Sequence, residues 1–576
     1  MSKQLENNHI LILDGEEFST LSIVRSLGRK GLNITVAAAD NQAICRYSKY
    51  THNFFTYPNP LLNTDDFTQT IIGKLSEQKY ALLIPVTELT TLPLAKIRQQ
   101  IEQQTTLAIA DNQSLSIVTD KVKTFLLAEK QGVPIPKSYY INSLETLENC
   151  ISDIKYPVVI KPSHSIADQK NDIRTKLKVD YAFSISELQQ KAHKLLKNSE
   201  IILQEYFTGV GMGIELIADH GTIIHVFQHQ RLHELPLTGG GSCLRQSVPV
   251  HPQLLCHAQA LIKALNWHGV AMVEFKYNQE SDQCCLMEIN GRFWGSLPLA
   301  VASGSDFPWF LYQLLVYNQR PQLFNSETGH ISRKIKEDLY WYLQVIFRRD
   351  GSPLIKWPTP TRLIKDIVSV LHYKHHFDAF YYNDLKPGFI ELGRTILWAT
   401  HFVGDFVEKR SLQKKHLKIK QTQAIRKLLK QANNILFLCY GNINRSALAE
   451  CLYLQQSNKQ YCIQSAGFHP KSQRPADPNM IKVAKEQHCD MSRWSSHSLT
   501  ENLLSTADLI FVMEIEHIIK LTKLYPKQRA KIYLLSSLDA DEQTPLEIND
   551  PYGGTLNEYR RCFEQIKSCI DQLCKF

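Results

Sequence analysis

The segment NNILFLCYGNINRSALAECLY, residues 433–453, carries a cysteine and an arginine at a spacing suited to phosphate chemistry. An apolar strand leads into Cys439, a short loop follows, and Arg445 and Ser446 open a helix rich in Ala and Leu. Such a loop points several backbone N–H groups at one spot, so it can hold a phosphate dianion. Arg445 can bind two phosphate oxygens through its planar guanidinium. The same field favours the thiolate form of Cys439, which predicts a nucleophile.

Transfer of a phosphoryl group to Cys439 leaves an oxygen that needs a proton, so the site also requires a carboxylic acid above the loop. Asp550, in EINDPYGG, is the candidate. The alternative is that Cys439 is only a small buried residue at a strand end, as most free cysteines are. The arginine, the serine and the distant D-P-Y argue against that alternative, because a motif gains weight from its context.

Four segments in the last third of the chain resemble the low-molecular-weight protein tyrosine phosphatases in order and spacing. They are C-Y-G-N-I-N-R-S at 439–446, S-A-G at 465–467, D-L-I-F-V-M at 508–513 and D-P-Y-G-G at 550–554. The resemblance implies a flavodoxin-like, three-layer α/β domain with a parallel sheet over residues 431–576. It also implies hydrolysis of a phosphotyrosine-containing protein or another aryl phosphate through a phosphocysteine, without a cofactor. The implied roles are Cys439 as nucleophile, Arg445 as phosphate clamp, Ser446 as thiolate-stabilising hydroxyl, Asn442 as loop organiser and Asp550 as general acid.

Two loop positions bear on specificity and regulation. In this resemblance the position two before the arginine is Ile in tyrosine phosphatases and Thr in relatives that prefer phosphoarginine; here it is Ile443. A branched alkyl group can pack against an aryl ring but offers no hydroxyl to a guanidinium, and Tyr552 could form a second wall. Phosphotyrosine is therefore expected to be preferred, unless Ile443 only fills space. The family often has a second cysteine where this chain has Asn444, which puts a protective disulfide in doubt.

A second group of candidate residues lies in VEFKYNQESDQCCLMEINGRFWGS, residues 273–296. The pattern predicts a β-hairpin with Glu274 on one strand and Glu288 and Asn290 on the other, the latter two on one face. Oxygen ligands of this kind suit Mg²⁺ bound together with nucleotide phosphates. Arg292, on the same side, could meet a phosphate or a substrate carboxylate. Surface positions for Glu288 and Asn290 are less favoured, because M-E-I-N-G-R lies in an apolar strand.

Together with Lys121 and Lys161, this hairpin resembles the ATP-grasp superfamily, specifically the carboxylate-amine ligase type, over about residues 1–325. The resemblance implies a pre-ATP-grasp β-α-β domain at 1–110 and an ATP-grasp domain of two α+β lobes at 111–325. It implies ATP and Mg²⁺ as cofactors, and a small carboxylate and an amine, an amino acid or peptide, as substrates. The implied contacts are Lys121 and Lys161 on the phosphates, Gln204 and Glu205 beside adenine and ribose, and Glu274, Glu288 and Asn290 on Mg²⁺. Residues 231–241 and Arg245 are expected near the substrates.

The stretch KPSHSIADQKND, which follows the strand lysine, departs from the pattern. Many relatives carry a glycine-rich loop there to cover the phosphates, and this chain has none until far downstream. An alternative function is therefore a nucleotide-binding or ligand-binding module that no longer ligates and instead regulates the phosphatase.

The elements around these residues indicate an α/β chain of several domains. HILILD at 9–14, a helix at 22–30 and a strand at 33–38 form a β-α-β opening. Gly15 stands alone at its first turn, without G-x-G-x-x-G, so a structural role is favoured over a dinucleotide site. A helix over 120–132 should end at Gly132. Residues 326–430, aromatic, basic and broken by prolines, predict a helical connector.

Composition sets the remaining expectations. The chain has 576 residues, 43% hydrophobic and 21% charged, with no signal pattern or spanning run, which favours the cytoplasm. Thirteen scattered cysteines indicate reduced thiols. The net charge of +9 is mostly local, since residues 408–430 hold nine Lys or Arg and one Glu, so no nucleic-acid partner is expected. Residues 408–430 are expected to form a solvated linker helix. The alternative is that they act together with residues 389–406 as a weak contact for an anionic membrane. The oligomeric state stays open.

Overall fold

A computed structural model describes residues 8–168, 174–322, 325–347, 352–456, 460–539, 541 and 543–575. The chain forms two compact units, Met1–Leu397 and Trp398–Phe576. Among the described helices, none combines the length and the apolar character needed to cross a membrane. All thirteen cysteines are free thiols, as their scattered spacing predicted.

The N-terminal unit opens with a parallel five-stranded sheet, which contains the predicted β-α-β. Alternate residues of its central strand enter two cores, because successive side chains of a strand point to opposite faces. Gly15 is structural, since a Cβ there would lie 2.8 Å from Val36 Cγ1. The strands, in spatial order, are Thr51–Thr56, Asn33–Ala38, His9–Ile12, Leu82–Ile84 and Thr106–Leu107. The helices are Phe18–Arg29, Thr64–Glu77, Glu88–Lys96, Arg98–Glu102 and Asn112–Val118.

An antiparallel four-stranded sheet forms the next layer and carries Lys161 and Gln204 on neighbouring strands. The predicted helix before it begins at Lys121, where Asp120 caps the first turn, and Gly132 follows with a φ of 67°. A short hairpin, Ile166–Asp168 with Arg174–Lys176, stands where relatives carry a glycine-rich loop. The sheet strands are Asp180–Ala182, Val158–Pro162, Ile201–Glu205 and Ser138–Ile141. The helices are Lys121–Lys130, Leu144–Cys150 and Ile185–Leu195.

A seven-stranded sheet completes the N-terminal unit and contains the predicted hairpin, with Glu274 opposite Glu288. Two of its strands lie in the region predicted to be a helical connector, which corrects that prediction. Ile331–Arg333 and His375–Phe377 extend the sheet because Gly241–Ser247 still offers a free edge. The other strands are Gln283–Asn290, Gly269–Asn278, Val210–Asp219 and Thr222–Leu235. The helices are Pro252–Ala264, Leu297–Ala302, Phe307–Leu315, Ile335–Phe347 and Pro360–Val368.

The C-terminal unit has a parallel four-stranded sheet with helices on both faces. In its first strand Ile435 and Phe437 enter one core, and Leu436 and Leu438 enter the other, which gives three layers. This confirms the predicted flavodoxin-like fold. The strands are Cys462–Gly467, Asn434–Cys439, Leu509–Val512 and Ile532–Leu534. The helices are Ile425–Leu429, Arg445–Leu454, Pro478–Glu486, Glu501–Thr506, Ile515–Leu524 and Leu556–Leu573.

The long helix Lys386–Thr422 contains most of the basic stretch. Its last turns are only partly solvated, because Leu412, His416 and Lys420 are buried. Lys420 Nζ donates to the backbone oxygen of Thr544 at 2.8 Å and to its hydroxyl at 3.1 Å. The other basic side chains of these turns remain exposed, as expected for a solvated face.

Candidate functional sites

Cys439 is the last residue of its strand, and the helix after the loop begins at Arg445. The sulfur accepts the backbone N–H of Asn442 at 3.2 Å and shares a hydrogen bond with the hydroxyl of Ser446 at 3.0 Å. These two contacts hold the sulfur beside the N-terminus of the helix. Cys439, Asn442, Arg445 and Ser446, which the sequence analysis grouped, therefore lie together.

Asn442 holds the loop in shape. Its backbone is left-handed, with a φ of 53°, and its side chain is fully buried. Its Nδ2 donates to the hydroxyls of Ser446 at 3.0 Å and Ser465 at 2.8 Å, while its Oδ1 accepts the His497 N–H at 2.7 Å. These bonds offset the cost of a conformation that only a few residue types adopt.

Gly467, the last residue of S-A-G, lets the neighbouring strand pass directly beneath the loop. A Cβ at this position would lie 2.8 Å from the carbonyl oxygen of Tyr440 and 2.9 Å from the backbone nitrogen of Asn442. Both contacts are with backbone, which cannot rotate away. The glycine of S-A-G is therefore explained by the close approach of this strand to the backbone of the loop after Cys439.

Arg445 is buried and makes three short polar contacts. Its guanidinium donates to Glu514 at 2.7 Å, to the carbonyl of Ile548 at 2.8 Å and to Asp550 at 2.6 Å. Burial alone would lower the pKa of Arg445, but the charges of Cys439, Asp550 and Glu514 outweigh it and raise that pKa. The sequence analysis missed Glu514, although it directly follows D-L-I-F-V-M, where the carboxyl ends of parallel strands converge.

The rim of this loop is aromatic. Tyr440 and Tyr552 are both exposed, and the ammonium group of Lys520 lies 5.3 Å from the ring centroid of Tyr440. Ile443 is partly buried. Asn444 is buried, and its Oδ1 has no hydrogen-bond partner among the described residues.

In the N-terminal unit a cavity of about 350 Å³ lies between the four-stranded and seven-stranded sheets. Lys121 and Lys161 both line it, and Lys121 Nζ donates to Ser165 Oγ at 3.1 Å. Burial lowers the pKa of Lys161 to about 8, with Lys121 and Lys276 adding to the effect and Glu288 opposing it. Lys121 and Lys161 can bind an anionic ligand here, beside the counter-charge that Glu288 already supplies.

The predicted oxygen ligands meet at the wall of this cavity. Asn290 Nδ2 donates to Glu274 and to Glu288, at 3.1 Å in each case. Burial raises the pKa of Glu274 to about 7. Burial also opposes ionisation of Glu288, but Lys121, the Asn290 hydrogen bond and Arg292 outweigh it and lower the Glu288 pKa.

Gln204 and Glu205 line the same cavity. Gln204 is buried, its Nε2 donates to Ser138 Oγ at 2.9 Å, and its Oε1 is buried without a partner among the described residues. An orphaned buried acceptor costs free energy unless a ligand donor satisfies it. The lining of this cavity fits a nucleotide with Mg²⁺. It includes Lys121, Lys161 and Lys276, the carboxylates of Glu205, Glu234, Glu274 and Glu288, and the amide of Gln204.

A second cavity of about 570 Å³ adjoins the first at Glu288. Asn290 and Arg292 line it, together with Asp14 and Glu88 from the N-terminal sheet region. Arg292 donates to Asn290 Oδ1 at 2.9 Å and pairs with Glu88 at 3.5 Å. The two cavities are therefore adjacent within the N-terminal unit.

The stretch 231–241 was expected near the substrates, and Arg231 and Gly239–Gly241 do line the first cavity. Arg231 forms an ion pair with Glu274 and a hydrogen bond to the Gly240 carbonyl at 2.9 Å. Arg245 corrects the expectation. It lines neither of these two cavities, because it is fully buried and ion-paired with Asp378, although it lies opposite Arg231 in the strand register.

Comparison with known proteins assigns both regions. Residues 434–576 match the family model described as low molecular weight phosphotyrosine protein phosphatase, and residues 197–337 match ATP-grasp in the biosynthetic pathway with Ter operon. The N-terminal unit therefore contains an ATP-grasp region. Its fold is similar to that of N5-carboxyaminoimidazole synthetase from Staphylococcus aureus, at 14% identity and a TM-score of 0.46, over 60% of this chain and 86% of that one.

Two curated relatives match the C-terminal unit. The low molecular weight protein-tyrosine-phosphatase Wzb of Escherichia coli (strain K12) is 37% identical over 120 residues, which are 21% of this chain and 78% of that protein. The protein-arginine-phosphatase of Bacillus subtilis (strain 168) is 27% identical over 145 residues, which are 25% of this chain and 95% of that protein. Through residues 434–576, the chain belongs to the low molecular weight phosphotyrosine protein phosphatase family.

Proposed function

We propose that the C-terminal unit hydrolyses phosphotyrosine or a similar aryl phosphate through a phosphocysteine. The observation that carries this is the Cys439 sulfur, held by Asn442 N–H and Ser446 Oγ beside the buried Arg445. The sulfur attacks phosphorus, the ester P–O bond breaks, and Asp550 gives its proton to the leaving oxygen. Water then attacks the phosphorus of the phosphocysteine and gives a proton to Asp550. The S–P bond breaks, which releases phosphate and returns Cys439 to the thiolate form. No cofactor is required.

Specificity for an aryl group is part of this proposal, and its support is the exposed pair Tyr440 and Tyr552 with Ile443 in the loop. Flat walls and an alkyl group favour an aromatic ring over a guanidinium, which needs hydrogen-bond acceptors. The relatives differ on this point, one being named a tyrosine phosphatase and another an arginine phosphatase.

The test is kcat/KM on matched phosphotyrosine and phosphoarginine peptides, with Ile443→Thr as the paired variant. We expect the wild type to prefer phosphotyrosine and the variant to shift the ratio of the two constants at least about tenfold toward phosphoarginine. A wild type that prefers phosphoarginine would overturn the specificity and leave the mechanism intact.

We further propose that the N-terminal unit is an ATP- and Mg²⁺-dependent carboxylate-amine ligase, acting on a small carboxylate and an amino acid or peptide. Its support is the buried set of Glu274, Glu288 and Asn290 with Lys161 across the cavity. Lys121, Lys161 and Arg292 would hold phosphates, Gln204 and Glu205 the adenosine, and the three oxygen ligands Mg²⁺. ATP supplies the phosphoryl group that activates the carboxylate for capture by the amine. The second cavity would hold those two substrates.

A regulatory module that binds nucleotide without ligation is the alternative for this unit, and the missing glycine-rich loop favours it. ATP consumption by the full chain, measured with a panel of amino acids, separates the two. Consumption that depends on one amino acid supports a ligase, whereas MgADP binding with no turnover on any of them supports the module. The thirteen free cysteines fit a reducing compartment such as the cytoplasm.

A further inference from the structure

The helix Pro360–Val368, with the short 3₁₀ turn Ser369–Leu371 after it, carries an apolar stripe that faces solvent. Ile364, Ile367, Val368 and Leu371 recur at helical spacing and are between 55% and 87% exposed. No residue of the helix is buried. An amphipathic surface helix ordinarily turns such a stripe toward the core.

Polar contacts hold the helix in this orientation. Asp366, on its inner side, pairs with the buried His233 Nε2 at 3.2 Å, and the Asp366 carbonyl accepts from Arg333 at 2.6 Å. His233 is itself fixed by Asp338 at 2.7 Å and stacks on Trp341 with ring centroids 3.5 Å apart. The exposure of the stripe is therefore built into the fold.

The solvent side of this segment is basic as well as apolar. Lys356 and Lys365 are exposed beside the stripe, and Trp357 and Tyr373 are exposed at its two ends. Arg362 is exposed as well, but it pairs with Asp366 at 3.8 Å and lies away from the stripe. Asp366 is the only acidic residue from 352 to 374, and it points inward. Large aliphatic side chains, flanking cations and interfacial aromatics are the features that bind anionic lipid surfaces.

We propose that this surface docks on an anionic membrane. We call it the stripe surface and define it as Lys356, Trp357, Ile364, Lys365, Ile367, Val368, Leu371 and Tyr373. The apolar side chains enter the boundary between headgroups and acyl chains, and the cations meet lipid phosphates. A second copy of the chain fits less well, because two stripe surfaces would bring like charges together. The inference does not depend on either proposed activity.

Co-sedimentation of the full chain with vesicles tests the proposal. We expect binding to phosphatidylcholine vesicles containing about one third phosphatidylglycerol, weaker binding to pure phosphatidylcholine, and a decline with added salt. Ile367→Asp/Leu371→Asp should weaken partitioning at least about tenfold, since both side chains leave the lipid boundary. Lys356→Glu/Lys365→Glu should do the same with the apolar stripe intact.

The matched control is Leu62→Asp, which changes an aliphatic residue that is 65% exposed elsewhere in the same unit and should bind vesicles as the wild type does. Circular dichroism and thermal unfolding, compared with the wild type, would verify that the N-terminal unit of each variant folds. The proposal fails if the wild type ignores anionic vesicles or if the stripe variants bind them equally well. It also fails if Phe389→Asp/Val403→Asp, on the long helix, removes binding while the stripe variants retain it. A wild-type dimer that Ile367→Asp/Leu371→Asp converts to monomer would assign the surface to a second copy instead.

Discussion

Asp550 is engaged by Arg445 in this structure, at 2.6 Å, and its proposed task begins when a substrate phosphate takes over that arginine. Only a basic leaving oxygen needs the proton that Asp550 would give. We therefore expect Asp550→Asn to lower kcat/KM about a hundredfold or more for an alkyl phosphate and less than about tenfold for p-nitrophenyl phosphate. Steady-state kinetics on both esters checks this, and an equal loss on both would indicate a structural role.

Cys439 differs from Asp550 in that hydrolysis of every ester, whatever its leaving group, is expected to require the Cys439 thiolate. Cys439→Ser keeps the backbone cradle and Arg445, so phosphotyrosine peptide should still bind while turnover falls by at least about 10⁴-fold. Calorimetry measures binding of the peptide, and phosphate release measures turnover. Cys451→Ser, on the same helix but outside the loop, is the control and should keep its turnover. Hydrolysis by Cys439→Ser near the wild-type rate would mean that the nucleophile is another group.

Lys161 gives the nucleotide cavity a pH dependence. Its pKa is lowered to about 8 by burial, so the free side chain is charged below that pH and neutral above it. A phosphate prefers the charged form, so affinity for MgADP should fall as pH rises through 8, by up to about tenfold per pH unit. Lys161→Arg keeps its charge and should show a flat profile. Calorimetric titration with MgADP at a series of pH values around 8 measures this. If the affinity of Lys161→Arg for MgADP falls with pH as that of the wild type does, another group is responsible for the pH dependence.

The loop residues could be predicted from the sequence because they are contiguous, and contiguity fixes their distance. Glu514 could not be identified in the same way, since it reaches Arg445 only through the parallel order of strands far apart in sequence. The burial of Arg245 could not be predicted either, because its ion-pair partner Asp378 comes from a distant part of the sequence. The catalytic and ligand roles themselves stay predictions.

Among the elements, the hairpin with Glu274 on one strand and Glu288 and Asn290 on the other was predicted, because period-two alternation marks two short strands joined by a turn. The structure adds that Glu274 lies opposite Glu288, next to a register shift that the alternation does not reveal. The strands Ile331–Arg333 and His375–Phe377 were not predicted. Each has only three residues, which are too few for a periodic signal. Each forms because its backbone pairs with the edge of a sheet whose other strands are distant in sequence.

The helix Pro360–Val368 should depend on pH through His233, whose two ring nitrogens meet Asp338 and Asp366. Arg333 donates to Asp338 and to the Asp366 carbonyl, and Cys243 Sγ donates to the His233 carbonyl. Burial lowers the pKa of His233, but its hydrogen bonds to the carboxylates of Asp338 and Asp366 outweigh burial and raise that pKa. A raised folded pKa gives a stabilisation that is complete below the unfolded value, about 6.5, and is lost as pH rises through the folded value.

We therefore expect hydrogen exchange in residues 360–371 to be slower in the wild type than in His233→Gln at low pH, with the difference shrinking as pH rises. Mass spectrometry of peptides from this segment, corrected for intrinsic exchange, measures it. His193→Gln, on an exposed helix face, is the control and should follow the wild type. A difference that grows with pH would contradict the sign of the effect.

At the scale of the whole molecule, each candidate site is built from residues of a single compact unit. The nucleotide cavity uses residues before 398 only, and the phosphatase loop uses residues after 398 only. Each unit also has its own hydrophobic cores. Chemistry in one site therefore needs no side chain from the other unit, and the two activities should be separable by single substitutions.

Glu288→Ala tests that separation. The substitution removes a buried carboxylate from the proposed Mg²⁺ ligands and leaves Lys121 and Lys161 without their nearest counter-charge, so Mg²⁺-dependent ATP consumption should fall at least about a hundredfold. Phosphatase turnover of the same protein should stay within about twofold of the wild type, and Cys439→Ser should show the reverse pattern. Both rates are measured on each full-length variant. A parallel loss of phosphatase turnover in Glu288→Ala, with the fold intact by circular dichroism, would contradict independent sites and favour an N-terminal unit that regulates the phosphatase.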